Sequence, residues 1–235
     1  MNNEKKAVVI PRTLLIGLGG SGGEVLSLLY EMLTEEQKLK AKTLYLDTDN
    51  RDLKRLRKMG VRSVALGTSD TVANMAAYLG DEDGVYDWLP SDEENETVFL
   101  CSQTDTGASQ FRYKSRLCLA RFLKNRDNAL NEVLDSMNVP GAGVRTSPLR
   151  VIITSSIAGG TGAGSFIQVA LYIRKYFRDN GQNNVQIIGL FGCPDLFSAV
   201  AENDQERENM FSNAYAAVRE LNAMNLAVCG SNELV

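Results

Sequence analysis

The chain contains no histidine. That absence excludes Ser-His-Asp and Cys-His catalysis, and with them the usual zinc sites. Its four cysteines, Cys101, Cys118, Cys193 and Cys229, stand far apart and none forms a CxxC pair. They read as reduced, mostly buried thiols rather than a disulfide frame. No apolar run approaches the roughly 20 residues needed to span a bilayer. The start, residues 1–6, is polar and lacks a signal-peptide core, so a cytoplasmic chain with no membrane span is expected. Positive charge is not in surplus either: 25 Lys and Arg against 29 Asp and Glu leave a net charge of −4. There is no basic face for nucleic acid, and no nucleic-acid partner is expected. Chemistry must come from carboxylates, hydroxyls, backbone N–H groups, a bound cation or a partner chain.

What the chain does have is alternation. Short apolar runs at 12–16, 43–46, 61–66, 149–154 and 185–190 read as strands, the last of them central in its sheet. Segments with apolar residues at helical spacing lie between them, at 22–33, 53–59, 72–79, 113–137, 166–176 and 204–224. Residues 98–101 and 226–229 read as further extended pieces, and the acidic run at 92–96 as a solvated loop. Leu26, Leu29, Leu33, Val169, Leu171 and Ile173 are core candidates. Tyr86 and Trp88 read as loop packing, and Arg112, Lys114 and Arg116 as a solvated helix start. Strands alternating with helices imply a Rossmann-like, three-layer α/β/α domain with a mainly parallel sheet and right-handed crossovers. Ligands in such sheets bind at the carboxyl ends of the strands. No repeat or linker divides residues 1–235.

Two glycine-rich loops follow strands and open helices. The first is Gly17-Leu18-Gly19-Gly20-Ser21-Gly22-Gly23, which contains GxGxxG. Glycine lets the backbone approach a phosphate closely, and the helix start that follows offers free N–H groups. A Gly-rich turn that only packs helix on strand is the bland alternative. The second loop, Ala158-Gly159-Gly160-Thr161-Gly162-Ala163-Gly164-Ser165, places four glycines in six positions. A Walker A loop would continue with Lys after Gly164; Ser165 stands there, so this is not a P-loop NTPase. Two glycine loops on one sheet suggest one polyphosphate held from two sides by backbone N–H groups. Between them, Asp47-Thr48-Asp49-Asn50 ends the second strand. Its acids suit a ribose or a hydrated Mg²⁺, or Asp49 or Asn50 simply caps the next helix.

Residues 158–164 resemble the signature loop of the tubulin/FtsZ family at every position. The resemblance extends outward in order over nearly the whole chain. Residues 17–23 resemble the first nucleotide loop and Asp47-Thr48-Asp49 the second. Thr104-Asp105-Thr106-Gly107-Ala108-Ser109-Gln110 resembles the loop that senses the γ-phosphate, and Gly192-Cys193-Pro194-Asp195-Leu196-Phe197 the proline-containing loop near the ribose. Residues 213–221 resemble the bacterial tubulin-like proteins.

The resemblance implies a guanine-nucleotide site for GTP or GDP with Mg²⁺. Its binding residues would be Gly19, Gly20, Ser21, Gly22, Gly23, Asp47, Asp49, Thr106, Gly107, Ala108, Ala158, Gly159, Gly160, Thr161, Gly162, Ala163, Asp195 and, by rough alignment, Glu206. It implies head-to-tail self-association or a tubulin-like partner, and GTPase activity that depends on a polymer neighbour. Two departures stand out. Glu24 replaces an amide that donates hydrogen bonds, which a carboxylate cannot do. The central helix and second domain of the family would follow Val235, so residues 1–235 are expected to be the nucleotide-binding domain alone, with no catalytic residue assignable within it. Two other readings compete: a NAD-binding oxidoreductase or ubiquitin-activating-type adenylating domain, and a scaffold that binds nucleotide without turnover.

Overall fold

The computed structural model describes residues 12–80, 84–89, 102–105, 107–108, 110–138 and 149–230. In chain order the elements are β1 (Arg12–Leu18), α1 (Gly19–Met32), α2 (Glu35–Lys40), β2 (Ala41–Asp47), α3 (Leu53–Lys58), β3 (Arg62–Ala65) and α4 (Val72–Leu79). They continue with α5 (Arg112–Lys124), α6 (Ala129–Met137), β4 (Leu149–Ser156), α7 (Gly160–Asp179), β5 (Val185–Gly192) and α8 (Asp204–Gly230). The strands form one parallel sheet in the order β3-β2-β1-β4-β5.

The period-two geometry of a strand sorts its apolar residues onto two faces. Leu14 and Ile16 of β1, Leu44 and Leu46 of β2, and Val151 and Ile153 of β4 join one core with α4, α5, α6 and α7. Leu15 and Tyr45 face the other way and pack with Leu26 of α1 and with Leu53 and Leu56 of α3. The result is the expected three-layer α/β/α domain. From β1 the chain steps outward through β2 to β3, then returns to the other side of β1 for β4 and β5. The order reverses between β1 and β4, and a crevice at the carboxyl ends of the strands opens at such a reversal.

Helix α1 lies unusually close to the sheet. A Cβ on Gly17 would sit 2.7 Å from the Gly22 carbonyl oxygen, and one on Gly22 would collide with the Thr154 carbonyl oxygen. The Thr154 hydroxyl completes the junction, 3.2 Å from the Ile16 carbonyl and 3.1 Å from that of Gly22. Glycine at 17 and 22 is therefore a packing requirement between α1, β1 and β4.

Several expectations need correction. The single helix over 113–137 is two helices. Asn128 caps α6 by accepting from the Asn131 N–H at 2.9 Å, and Asn125 accepts from the Asp127 N–H at 3.0 Å, so local side-chain bonds outcompete the helix between them. Residues 226–229 are helical, not a strand, because nothing breaks α8 before Gly230. In consequence β5 is an edge strand of the described sheet rather than a central one. Helix α2 was not expected, although Thr34 and Gln37 form a capping box. Leu171 is exposed, whereas Leu26, Val169 and Ile173 are fully buried and Leu29 and Leu33 partly so. Cys193 is exposed; Cys118 is buried, and burial pushes its thiol up to about 12. Residues 1–6, 92–96 and 98–101 lie outside the described residues. Among the described residues no helix is long and apolar enough to cross a membrane.

The junction at Gly22 sets two effects against each other. In a helix interior Ala is favoured over Gly by about 1 kcal/mol, but the added methyl collides with β4 backbone. Overpacking costs about 1–3 kcal/mol or more and here it wins. Gly22→Ala is expected to lower the urea midpoint by the equivalent of about 2 kcal/mol; an unchanged or higher midpoint would show that α1 has room to move.

Candidate functional site

The carboxyl ends of β1 and β4 lie side by side, with Leu18 opposite Ser155. β1 runs straight into α1 at Gly19, β4 reaches α7 at Gly160 after three residues, and neither helix start has a side-chain cap. Two sets of first-turn N–H groups therefore open at one place, and the helix dipoles make it partly positive. The loops touch. Gly19 adopts φ +70°, and a Cβ there would come within 3.1 Å of Thr161 Cβ, so both conformation and space demand glycine.

The end of β2 forms the third wall. Asp47 is buried there, 3% exposed. The Tyr45 hydroxyl donates to its Oδ2 at 2.5 Å, and the Thr161 hydroxyl and the Asp49 N–H each donate to its Oδ1 at 3.2 Å. The Thr48 hydroxyl lies 2.8 Å from that of Thr161. This network ties β2 to the glycine loop of α7. Burial pushes the Asp47 carboxyl above the usual carboxylate range, with the hydrogen bonds from Tyr45, Asp49 and Thr161 opposing it. Burial and the neighbouring Asp47 push the Tyr45 phenol up as well, so it stays a donor. Asp49 is held differently. Arg51 donates to it from its backbone N–H at 2.9 Å, from Nε at 2.8 Å and from Nη2 at 2.5 Å. These bonds hold the Asp49 carboxyl below its ordinary range. Neither Asp49 nor Asn50 caps α3, whose N-cap position is Asp52.

Seven of the expected binding residues, Gly20, Asp47, Asp49, Gly107, Ala108, Gly160 and Thr161, line one cleft of about 470 Å³. That lies within the range of ligand pockets. The others are placed as follows. Gly22 and Gly23 are on the buried face of α1, Gly23 against the Tyr45 ring. Gly162 is pressed against Ser155 and Ser156, where a Cβ would collide. Gly159 has no atom within 4 Å of its Cβ position, and Gly20 meets only the Asp52 carboxylate at 3.7 Å. These two glycines leave open space. Ser21 is in the first turn of α1. Ala158 donates to Ser156 Oγ at 3.0 Å, and the Ala163 carbonyl accepts from Arg112 at 3.1 Å. Asp195, exposed in the turn after β5, and Glu206, in the first turn of α8, do not line the cleft. Thr106 lies outside the described residues.

Sequence reasoning missed three lining residues as binding candidates, Thr48, Arg51 and Asp52. It also missed Asn213, which donates to the Gln110 carbonyl at 2.7 Å and the Ala158 carbonyl at 3.1 Å. That bond pair joins the loop before α5 to the loop before α7. Gln110, whose side chain donates to Glu206 at 3.2 Å, is the one non-glycine with positive φ among the described residues. The Glu24 side chain does not approach the cleft; it pairs with Arg55 at 2.7 Å.

A larger groove of about 780 Å³ runs between α5, α7 and α8. Arg112 crosses it to the Ala163 carbonyl and to Glu220 at 2.5 Å, so it is not a solvated residue. Lys114 is buried and the Arg116 guanidinium stacks 4.7 Å over the Trp88 ring, which packs against the core as expected.

The two acids expected to serve a Mg²⁺ ion are thus both engaged by donors of this chain. Among the described residues no three acidic or thiol side chains converge as metal ligands. As arranged, Asp47 and Asp49 do not fit a divalent ion without giving up these donors, and the third lining acid, Asp52, has a 3.9 Å ion pair with Arg55.

A family model described as tubulin like matches residues 14–233. The chain belongs to the tubulin-like family. Among solved structures, the tubulin-like chain is similar to CetZ2 from Haloferax volcanii, a GTPγS-bound protofilament, at 15% identity and a TM-score of 0.40. The match covers 92% of this chain and 58% of that one, so the tubulin-like domain spans well under two thirds of it. No curated protein matches.

Burial of Asp47 has a consequence for stability. A carboxyl raised in the folded state binds its proton more tightly there than in the unfolded chain. Stability therefore falls as pH rises from the unfolded range, about 3.9, through the raised value, and stays lower above it. Asp47→Asn keeps an acceptor for Thr161 and Asp49 and removes the buried charge. The ligand-free variant is expected to melt about 2–4 °C above the parent at pH 7, roughly 1 kcal/mol. The gap should close near pH 4. A variant less stable at pH 7 would mean that the ionised network is net stabilising.

Proposed function

We propose that this tubulin-like domain binds guanosine tri- and diphosphate, with the phosphates between the glycine loops at the ends of β1 and β4. The observation that carries the reading is the meeting of two uncapped helix starts at the point where strand order reverses, with Thr161 tied to Thr48 and Asp47 across it. Backbone N–H groups of α1 and α7 receive the phosphates, and Gly107 and Ala108 lie toward the terminal one. Asp195 and Glu206 are the ribose contacts. Family membership supports guanine over adenine or nicotinamide, because the second glycine loop is the tubulin signature and a dinucleotide fold does not need it.

Cleavage of a phosphoanhydride requires a positioned water as well as charge stabilisation. The domain supplies the second, and a neighbouring subunit in a head-to-tail assembly supplies the first. Turnover is therefore a property of the assembly, in the manner of a cytoskeletal GTPase.

Thermal melting with GTP, ATP and NAD tests the assignment. At 100 times the dissociation constant a ligand adds about 2.7 kcal/mol, or roughly 5–10 °C for a domain of this size. GTP is expected to give that shift, and ATP and NAD far less. Gly20→Ala separates binding from folding: its methyl meets nothing closer than 3.7 Å, so ligand-free stability should hold or rise by up to about 1 kcal/mol. GTP affinity should fall about tenfold or more as the cleft narrows. A larger shift with ATP or NAD would sink the guanine reading.

A further inference from the structure

The cleft proposed for the phosphates has a charge problem. Three carboxylates line it, Asp47, Asp49 and Asp52, against one cationic side chain, Arg51. A nucleoside triphosphate brings several more negative charges, and the usual remedy is a divalent ion. Here two of the three acids are already engaged by donors of this chain, and Asp52 has a 3.9 Å ion pair with Arg55. Asp47 accepts from Tyr45, Thr161 and Asp49, and both oxygens of Asp49 accept from Arg51. Asp49 also presses toward Gly107, whose Cβ position lies 3.4 Å from its Oδ2.

Arg51 uses only part of its hydrogen-bonding capacity on Asp49. A guanidinium has five N–H donors, and Asp49 takes bonds from Nε and one Nη. The side chain is 89% exposed, so the remaining donors are open to a ligand. A guanidinium held by a carboxylate on one edge presents a planar fork on the other, and that fork matches a phosphate in a bidentate fashion. Because Asp49 already orders the side chain, less rotamer freedom is lost on binding.

We propose that Arg51, oriented by Asp49, is the cation that neutralises the nucleotide phosphates in this chain, so that nucleotide binding does not require a divalent metal. The inference rests on the guanine-nucleotide reading of the cleft. It makes Arg51 a phosphate-binding residue and Asp49 its positioning residue rather than a metal ligand.

Calorimetric titration of the whole chain with GTP and GDP, in Mg²⁺ and in excess EDTA, tests it. Removing Mg²⁺ is expected to change the parent's affinity by less than about threefold. Arg51→Ala in EDTA should lose about tenfold or more, the scale of a charge-assisted hydrogen-bond pair. Part of that loss should return with Mg²⁺, since Asp49 is then free. Arg51→Lys should fall between, keeping charge without the fork. The side chain is exposed, so ligand-free melting of both variants should match the parent. Parent binding that collapses in EDTA, or Arg51→Ala that binds like the parent there, overturns the inference and leaves the nucleotide site standing. No guanine-nucleotide binding in either condition overturns the site and this inference together.

Discussion

The close approach of α1 to the ends of β1 and β4 is the constraint on which the rest depends. It exists because Gly17 and Gly22 have no side chains to hold the helix off, and because the Thr154 hydroxyl satisfies carbonyls at the junction. Once α1 is seated there, Gly19 must turn with positive φ against Thr161. The start of α7 then stands beside the start of α1, and the buried Asp47 network fixes β2 to the start of α7. The cleft is a by-product of this packing. Gly20, Gly107 and Gly160 line it with backbone, and its polar side chains follow β2 and β4.

Glycine in these loops does two jobs, which the sequence motif merges. Gly22, Gly162 and Gly164 are pressed against neighbouring backbone or side chains, and any Cβ would collide. Gly20 and Gly159 have open space at their Cβ positions, so packing gives no reason for glycine there. The bland reading of glycine as mere packing is thus right for some positions and insufficient for others. Ser165, where a Walker-type loop would carry lysine, is fully buried.

Much of the fold was legible because buried parallel strands read as continuous apolar runs and their helices as 3.6-residue patterns. The two glycine loops and Asp47-Thr48-Asp49 could be placed at strand ends for the same reason, and seven of the expected residues do share one cleft. What was not legible depends on long-range geometry or on short polar side chains. Asn125 and Asn128 divide a helix that apolar periodicity alone extends. Asn213 joins two loops about a hundred residues or fewer away along the chain, a pairing no local pattern encodes. Arg51 sits two residues after Asp49 and reads as an ordinary surface charge until it is seen that, among the described residues, no other cationic side chain lines the cleft. Leu171 follows the helical period yet is exposed, because it faces the groove between α5, α7 and α8 rather than the sheet.

The central claim is that the crevice between β1 and β4 holds a guanine nucleotide, and the most direct test is what the protein carries when purified. Denaturing the chain and separating the released small molecules by chromatography should yield GDP or GTP at a sizeable fraction of one per chain. Gly20→Ala, purified alongside, should release much less. Release of an adenine nucleotide or NAD in that proportion would contradict the account.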